Sequence, residues 1–418
     1  MPLINSNDSR TLDLFAVMVA NSAGDPLLRW SNTHKEAPVL VSMRPFESPF
    51  IDGAEVLMVF LATSVVALGA YVSTSDIRKD SSLAQIHRDA EVVEVQSRDA
   101  VVFCMFGSGM LMFLFYFMKY MIYVIIFCFC VGGGSSILEF SSLAIRICLP
   151  STRRRACSIE AIGTVWQVSD LLALGPVLLV VFLFLNFRNT GLGWIFQDIM
   201  GIGFLCTLQK TLRLPNIQVA SLLLSFMFFF DIFWVFLSPL LFRGKSVMEE
   251  VATAGHTGES VPMLLRLPEL HRSPLSHERM LGFGDIALPG LLVSYCLRYD
   301  IVNKRTGCSG YFLPCLGGYA CGLGATMVAL LTMQMSQPAL LYLVPGTLGT
   351  TVCLGTWRRE LRSLWTGESI READASARAD KDAAQQKTNG DGRHDTGHVA
   401  PEESTSLVGN ASAASTES

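Results

Sequence analysis

The chain has 418 residues, 50% of them hydrophobic and only 16% charged, with a formal net charge of −4 and a mean hydropathy of +0.41. So much apolar surface with so little charge excludes a string of soluble domains and points to the lipid bilayer. Near-balanced charge without a Lys/Arg-dense block excludes a nucleic-acid partner. The 11 Cys lack CxxC pairs and the seven His lack ligand spacing, so neither a disulfide framework nor a metal or other cofactor is expected.

Residues 1–50 read as a mostly polar lumenal or extracellular segment. Its apolar stretch Leu14–Ala20 is short for a signal-peptide core and begins beside Asp13. Asn7-Asp8-Ser9 is a glycosylation sequon on the same side.

Nine apolar runs follow that are long enough to cross a hydrocarbon core. They lie at 54–73, 100–118, 121–142, 170–187, 191–209, 216–242, 281–298, 310–334 and 338–356. An all-α membrane protein of nine transmembrane helices is the expectation. Lys and Arg gather on one side of this pattern: Arg78, Lys79, Arg88, Arg98, Arg146, Arg153, Arg154, Arg155, Lys210, Arg213, Arg298, Lys304, Arg305, Arg358, Arg359 and Arg362. The short loops of the other side offer Lys119 and Arg188. By the positive-inside rule the N-terminus is lumenal and the C-terminus cytosolic.

The lumenal loop 243–280 contains the apolar segment Val261–Pro268, with Pro262 and Pro268 near its ends. Such a segment suits an extended edge strand, with an interfacial loop as the alternative. From 367 to 418 large apolar side chains almost vanish, which reads as a disordered cytosolic tail.

Two carboxylates stand where a bilayer allows none by default. Asp231 lies mid-run, and Asp285 opens the next span after Gly282, Phe283 and Gly284. Intramembrane ionisable residues are costly and mark functional sites. The glycines leave room for close approach or local unwinding beside Asp285. Two carboxyls in one water-accessible cavity titrate as a pair and share a proton near neutral pH. That is the equipment for amide hydrolysis, with one member as base toward water and the other as acid toward the carbonyl. A proton- or cation-coupled transporter using the same aspartates is the rival reading. A third element, Gln337-Pro338-Ala339-Leu340, opens the last span, with Pro338 at a helix start. Asp198 is a further carboxylate within a span, read as a structural polar contact between helices and left outside the catalytic set.

Phe229-Phe230-Asp231, Leu281-Gly282-Phe283-Gly284-Asp285 and Gln337-Pro338-Ala339-Leu340 together resemble, in order, the three motifs of GxGD intramembrane aspartyl proteases. Trp194–Gly201, Lys210–Pro215 and Trp357–Leu361 further resemble the signal peptide peptidase-like branch, in particular its type-2 members. The resemblance implies a protease domain over 51–366 with presenilin/signal peptide peptidase-like architecture. It implies Asp231 and Asp285 as the catalytic pair, with Phe230, Gly282, Phe283, Gly284, Pro338, Ala339 and Leu340 shaping the site. Implied partners are transmembrane protein substrates of type II orientation, or membrane-anchored stubs, and membrane lipids, with homo-oligomerisation left open. The implied compartment is a secretory or endolysosomal membrane: endoplasmic reticulum, Golgi, endosome or lysosome. By the same analogy residues 261–268 add a strand to an unwound substrate.

Two departures stand out. Phe230 occupies a position where the family usually has Tyr. Type-2 members usually carry a large lumenal domain before the first span, where about fifty residues stand here, so that domain is expected to be absent or outside this chain.

Overall fold

Within a bilayer every backbone polar group must be satisfied internally, and a helix does so along its own length. The apolar runs of this chain accordingly fold as helices. In a computed structural model of the chain, the described residues are 53–75, 93–149, 155–159, 164–188, 190, 192–241, 261–268, 278–333 and 337–372. The segment 1–50 with its sequon, most of the 243–280 loop and the tail beyond 372 lie outside them.

Helix α1 is Gly53–Ser73, with a buried stripe through Ala54, Met58, Ala62, Val65, Val66, Gly69 and Ala70. That three-to-four-residue spacing is the inward face of an otherwise lipid-facing helix. Strand β1, Val93–Glu94, leads into α2, Ser97–Cys148. The N-terminus of α2 is closed by Asp99, whose carboxylate accepts from the Gln96 N–H at 2.9 Å. The runs at 100–118 and 121–142 are parts of this one helix, in which Phe117 alone departs from helical geometry (φ −114°, ψ 20°). A kink therefore stands where a connecting loop is expected.

A small hairpin, β2 Arg155–Ile159 and β3 Thr164–Gln167, precedes α3, Val168–Phe187. It is a feature the apolar runs do not announce. On α3 the buried positions are Ser169, Ala173, Val177 and Phe184, so this helix is peripheral. Next come α4 (Gly193–Thr211), the two-residue strand β4 (Leu212–Arg213, paired in parallel with β1) and α5 (Ile217–Ile232). Asn216 caps α5, its side-chain oxygen accepting from the Val219 N–H at 2.8 Å. A π-helical segment, Phe233–Leu237, and the short α6, Ser238–Leu241, continue α5.

Strands β5, Leu264–Pro268, and β6, Glu278–Gly282, form an antiparallel pair, with Leu265 opposite Leu281. The extended segment expected at 261–268 is thus a strand over most of its length. Then follow α7 (Phe283–Val302), a 3₁₀ turn at Gly307–Ser309, α8 (Phe312–Met333) and α9 (Leu340–Val344). A second π segment (Pro345–Gly349), α10 (Thr350–Trp357) and α11 (Leu361–Thr366) complete the described fold.

Helix α7 is the centre. It is buried on all sides, from Phe283 through Leu292 and Cys296 to Asp300, and packs against α1, α4, α5, α8 and α9. A helix apolar all round belongs in the interior. Small residues let its neighbours approach. The Gln209 side chain of α4 fills the space between Gly69 of α1 and Gly290 of α7, where an added Cβ would lie 2.5 Å and 2.8 Å from its amide. Its oxygen accepts from the Ser294 hydroxyl at 3.1 Å. Gly318 and Gly346 bring α8 against the second π segment so closely that a Cβ on Gly318 would meet the Gly346 carbonyl at 2.0 Å.

Ion pairs tie the helices further. Lys210 of α4 pairs with Glu139 of α2, and Arg146 of α2 with Asp170 of α3 at 2.6 Å. Lys210, Arg146 and Arg298, counted above as loop charges, lie within helices.

Six of the described helices are long and apolar enough to cross a membrane, and the chain is an integral membrane protein. The α4 and α7 helices fall outside those six because they carry buried polar residues inward: Gln197, Asp198, Gln209 and Lys210 on α4, and Ser294, Arg298 and Asp300 on α7. The count of nine spans goes beyond these six helices. The described residues up to Ile370 belong to one compact unit, and Arg371 begins another.

Candidate active site

Asp231 sits in the last turn of α5 with 5% of its surface exposed. Its Oδ2 accepts a 3.0 Å hydrogen bond from the backbone N–H of Leu340. Leu340 is the first residue of α9, and the first N–H groups of a helix have no partner within it. Pro338, just before, contributes no N–H, so the helix start presents the Leu340 amide as its donor to the carboxylate. The Gln-Pro-Ala-Leu element thus acts through its backbone, and the sequence motif gains a physical meaning. One hydrogen bond to a charged group returns roughly 1.5–3 kcal/mol, whereas burying a carboxylate costs several. That one bond therefore does not repay the burial of Asp231 in stability.

Asp285 occupies the first turn of α7, where the positive end of the helix dipole favours a carboxylate. The helix that carries it packs against both α5, which bears Asp231, and α9, which bears the Leu340 amide. The Gly282–Asp285 stretch is a strand-to-helix junction: β6 ends at Gly282 and α7 starts at Phe283. No unwinding is needed, since the junction itself supplies the irregular backbone. A Cβ on Gly282 would stand 3.1 Å from Asp285 Oδ2, whereas a Cβ on Gly284 would meet nothing within 4 Å. One glycine clears the carboxylate, and the other opens onto free space beside it.

Phe283 anchors the junction. Its ring lies over Gly201 of α4, where a Cβ would fall 2.3 Å from Cζ, and against the Phe129 ring of α2 at 6.2 Å between centroids. Phe230 turns to another neighbour. Its ring packs on Gly107 of α2 and lies 6.3 Å from the Trp234 ring. A π segment follows two of the three motif-bearing helices, at Phe233–Leu237 after Asp231 and at Pro345–Gly349 after Leu340. Such insertions recur at functional sites.

The hairpin leading into Asp285 is held from α4. The Gln197 side-chain amide donates to the Leu264 carbonyl at 2.7 Å, and Asp198 Oδ1 accepts from the Arg266 N–H at 3.1 Å. Asp198 therefore makes a structural polar contact, as expected, and the partner in this bond is a strand. Strand β5 has β6 on one edge and α4 on the other. The outer edge of β6, toward which Met280 and Gly282 turn their backbone groups, carries no further strand among the described residues.

Sequence reading missed the Leu340 amide, the Gln197–Asp198 contacts and the Gly201 seat. The close approach at Gly318 was visible as Gly318-x-x-x-Gly322, a spacing that marks helix–helix contact in membranes. Among the described residues no group of three or more His, Cys, Asp or Glu side chains is placed to hold a metal.

Comparison with known proteins gives the family. The profile of the family described as signal peptide peptidase matches residues 87–371. "Signal peptide peptidase-like 3" of Oryza sativa subsp. japonica is 38% identical over 359 residues, covering 84% of this chain and 68% of that protein. The protein of the same name from Arabidopsis thaliana is 36% identical over 382 residues, covering 87% and 70%. "Signal peptide peptidase-like 2B" of Rattus norvegicus is 37% identical over 364 residues, covering 80% of this chain and 60% of its own length. With this match spanning Asp231, Asp285 and the Leu340 helix start, the chain belongs to the signal peptide peptidase family of intramembrane aspartyl proteases.

Proposed function

We propose that this chain hydrolyses peptide bonds within the membrane spans of type II proteins or membrane-anchored stubs, with Asp231 and Asp285 as its acid/base pair. The observation that carries this reading is the placement of Asp231, buried in α5 on the Leu340 amide of α9, and of Asp285 in the first turn of α7, a helix that packs against both α5 and α9. In the working state one carboxyl is ionised and the other protonated. The ionised member takes a proton from water as the water oxygen bonds to the peptide carbon. The protonated member donates to the carbonyl oxygen. As the C–N bond breaks, a proton passes to the departing amine. The Leu340 N–H holds Oδ2 of Asp231 and leaves Oδ1 for water or substrate.

A helical substrate shields its amides in its own hydrogen bonds and must open before attack. The outer edge of β6 supports a reading in which the opened segment pairs with Met280 and Gly282, leading its peptide bonds to Asp285. Nine spans from the apolar runs, a lumenal N-terminus from the asymmetry of Lys and Arg, and a secretory or endolysosomal membrane from the family resemblance complete the proposal.

The test is cleavage of a tagged type II transmembrane substrate in liposomes by wild type, Asp231→Ala and Asp285→Ala, with an aspartyl-protease transition-state inhibitor as control. A product made by wild type alone, and blocked by the inhibitor, is the expected result. Persistence of product in both variants would overturn the assignment.

A further inference from the structure

We propose that Gln197 and Asp198 are positioning residues that lock the β5–β6 hairpin in register and so select which peptide bond of an extended substrate is cut. The inference rests on the proteolytic reading above. Both side chains are buried within α4, at 2% and 5% exposure, where an amide and a carboxylate are costly. Had they served stability alone, apolar residues of similar size would be as good or better.

Their partners are backbone groups two residues apart on one strand. The Phe283 N–H donates to the Met263 carbonyl at 3.2 Å, and Leu265 pairs with Leu281 and Leu267 with Arg279. In an antiparallel ladder bonded pairs alternate, so the polar groups of Leu264 and Arg266 point away from β6. Those are the groups that Gln197 and Asp198 engage. A donor set against the Leu264 carbonyl and an acceptor set against the Arg266 N–H form a polarity code that a one-residue slip breaks. A slip of one residue would set these side chains against the wrong groups and turn buried Leu265 and Leu267 outward.

The same helix grips the junction again one turn on, where Gly201 seats Phe283. Asp285 lies two residues beyond that ring. A one-residue displacement of a strand is about 3.4 Å, and misplacement of about 1 Å already costs on the order of a hundredfold in rate. Helix α4 therefore measures the distance between the hairpin and the carboxylate.

The experiment uses the full chain in detergent with one type II substrate. Product ends are mapped by mass spectrometry, and hydrogen exchange is followed over 261–268. Asp198→Ala removes the acceptor, and Gln197→Glu replaces the donor with a carboxylate facing a carbonyl. Both are expected to move product ends by one or more residues and to speed exchange about tenfold, the loss of about one hydrogen bond. Asp198→Asn keeps an acceptor oxygen and is expected to retain the wild-type ends, a rescue that a merely structural role does not predict. Unmoved ends in Asp198→Ala and Gln197→Glu overturn the proposal. If Asp198→Ala is not recovered folded, unmoved ends in Gln197→Glu alone overturn it. Unchanged exchange with normal wild-type cleavage sinks the clamp and leaves the protease reading standing. Absence of cleavage by wild type sinks the protease reading, and the register claim falls with it.

Discussion

The backbone N–H of Leu340 reaches Asp231 Oδ2 at 3.0 Å, joining α5 to the start of α9 across 109 residues of sequence. Two variants separate the binding role of that carboxylate from its chemistry. Asp231→Asn keeps an acceptor for the amide but cannot act as acid or base, so cleavage is expected to fall by about 10²–10⁴ with the melting temperature held. Asp231→Ala loses the same activity and also leaves the amide unpaired, a cost of about 1–3 kcal/mol. Cleavage assays beside thermal unfolding check both. Equal melting temperatures for the two variants would remove the helix-tying role from Asp231.

The Gly201–Phe283 contact predicts a second, non-additive effect. A Cβ at 201 would fall 2.3 Å from the Phe283 ring, so Gly201→Ala displaces the residue two places before Asp285. Overpacking of this kind costs about 1–3 kcal/mol, and activity should drop with it. Phe283→Leu shortens the side chain and should restore much of the loss when combined with Gly201→Ala. A double-mutant cycle on stability and cleavage is the measurement. Strict additivity would show that the contact is not what positions Asp285.

Much of this was legible in the sequence, for reasons that also mark where legibility ends. Apolar runs report helices because a bilayer admits few other structures, and Asp231 and Asp285 stood out because charge there is costly. The Leu340 amide was invisible, since a backbone donor has no letter of its own. The strand that Asp198 contacts is invisible, because Arg266 lies 68 residues away on a strand too short to leave a period-two pattern. Lys119 interrupts the apolar run and so predicts a break between the runs at 100–118 and 121–142, yet the helix continues through it with only a kink at Phe117. Burial of α7 followed no amphipathic stripe, as expected for a helix enclosed on all sides.

On the side assigned to the cytosol, Glu360 predicts a pH dependence. Burial raises its carboxyl, but hydrogen bonds from Arg305 and from the Tyr311 hydroxyl (2.8 Å) outweigh this and hold it below the usual glutamate range. A carboxyl depressed on folding stabilises the fold above its unfolded pKa, and that contribution disappears as pH falls through the folded value. Wild type should therefore melt higher than Glu360→Gln near pH 7, and the gap should close as pH drops below the ordinary glutamate pKa of about 4.3. A gap that stays constant across that range would exclude this ion pair as its source.

Helix α2 has 52 residues, about 78 Å at 1.5 Å per residue, against a hydrocarbon core of about 30 Å. A straight rod of that length would leave one half in water. Each half carries large exposed apolar side chains: Phe103, Met105 and Phe106 before Phe117, and Tyr123 and Phe127 after it. Keeping one such side chain out of an apolar medium forfeits about 1.5–3 kcal/mol, and several together outweigh the charge of Lys119. Both halves should therefore enter the bilayer, with Lys119 at the lumenal surface. An impermeant amine reagent on sealed microsomes should modify exposed Lys304 directly and exposed Lys119 only after permeabilisation. Equal modification of both in sealed vesicles would place them on one face, remove one crossing from the count of nine and invert the order of every span before Lys119.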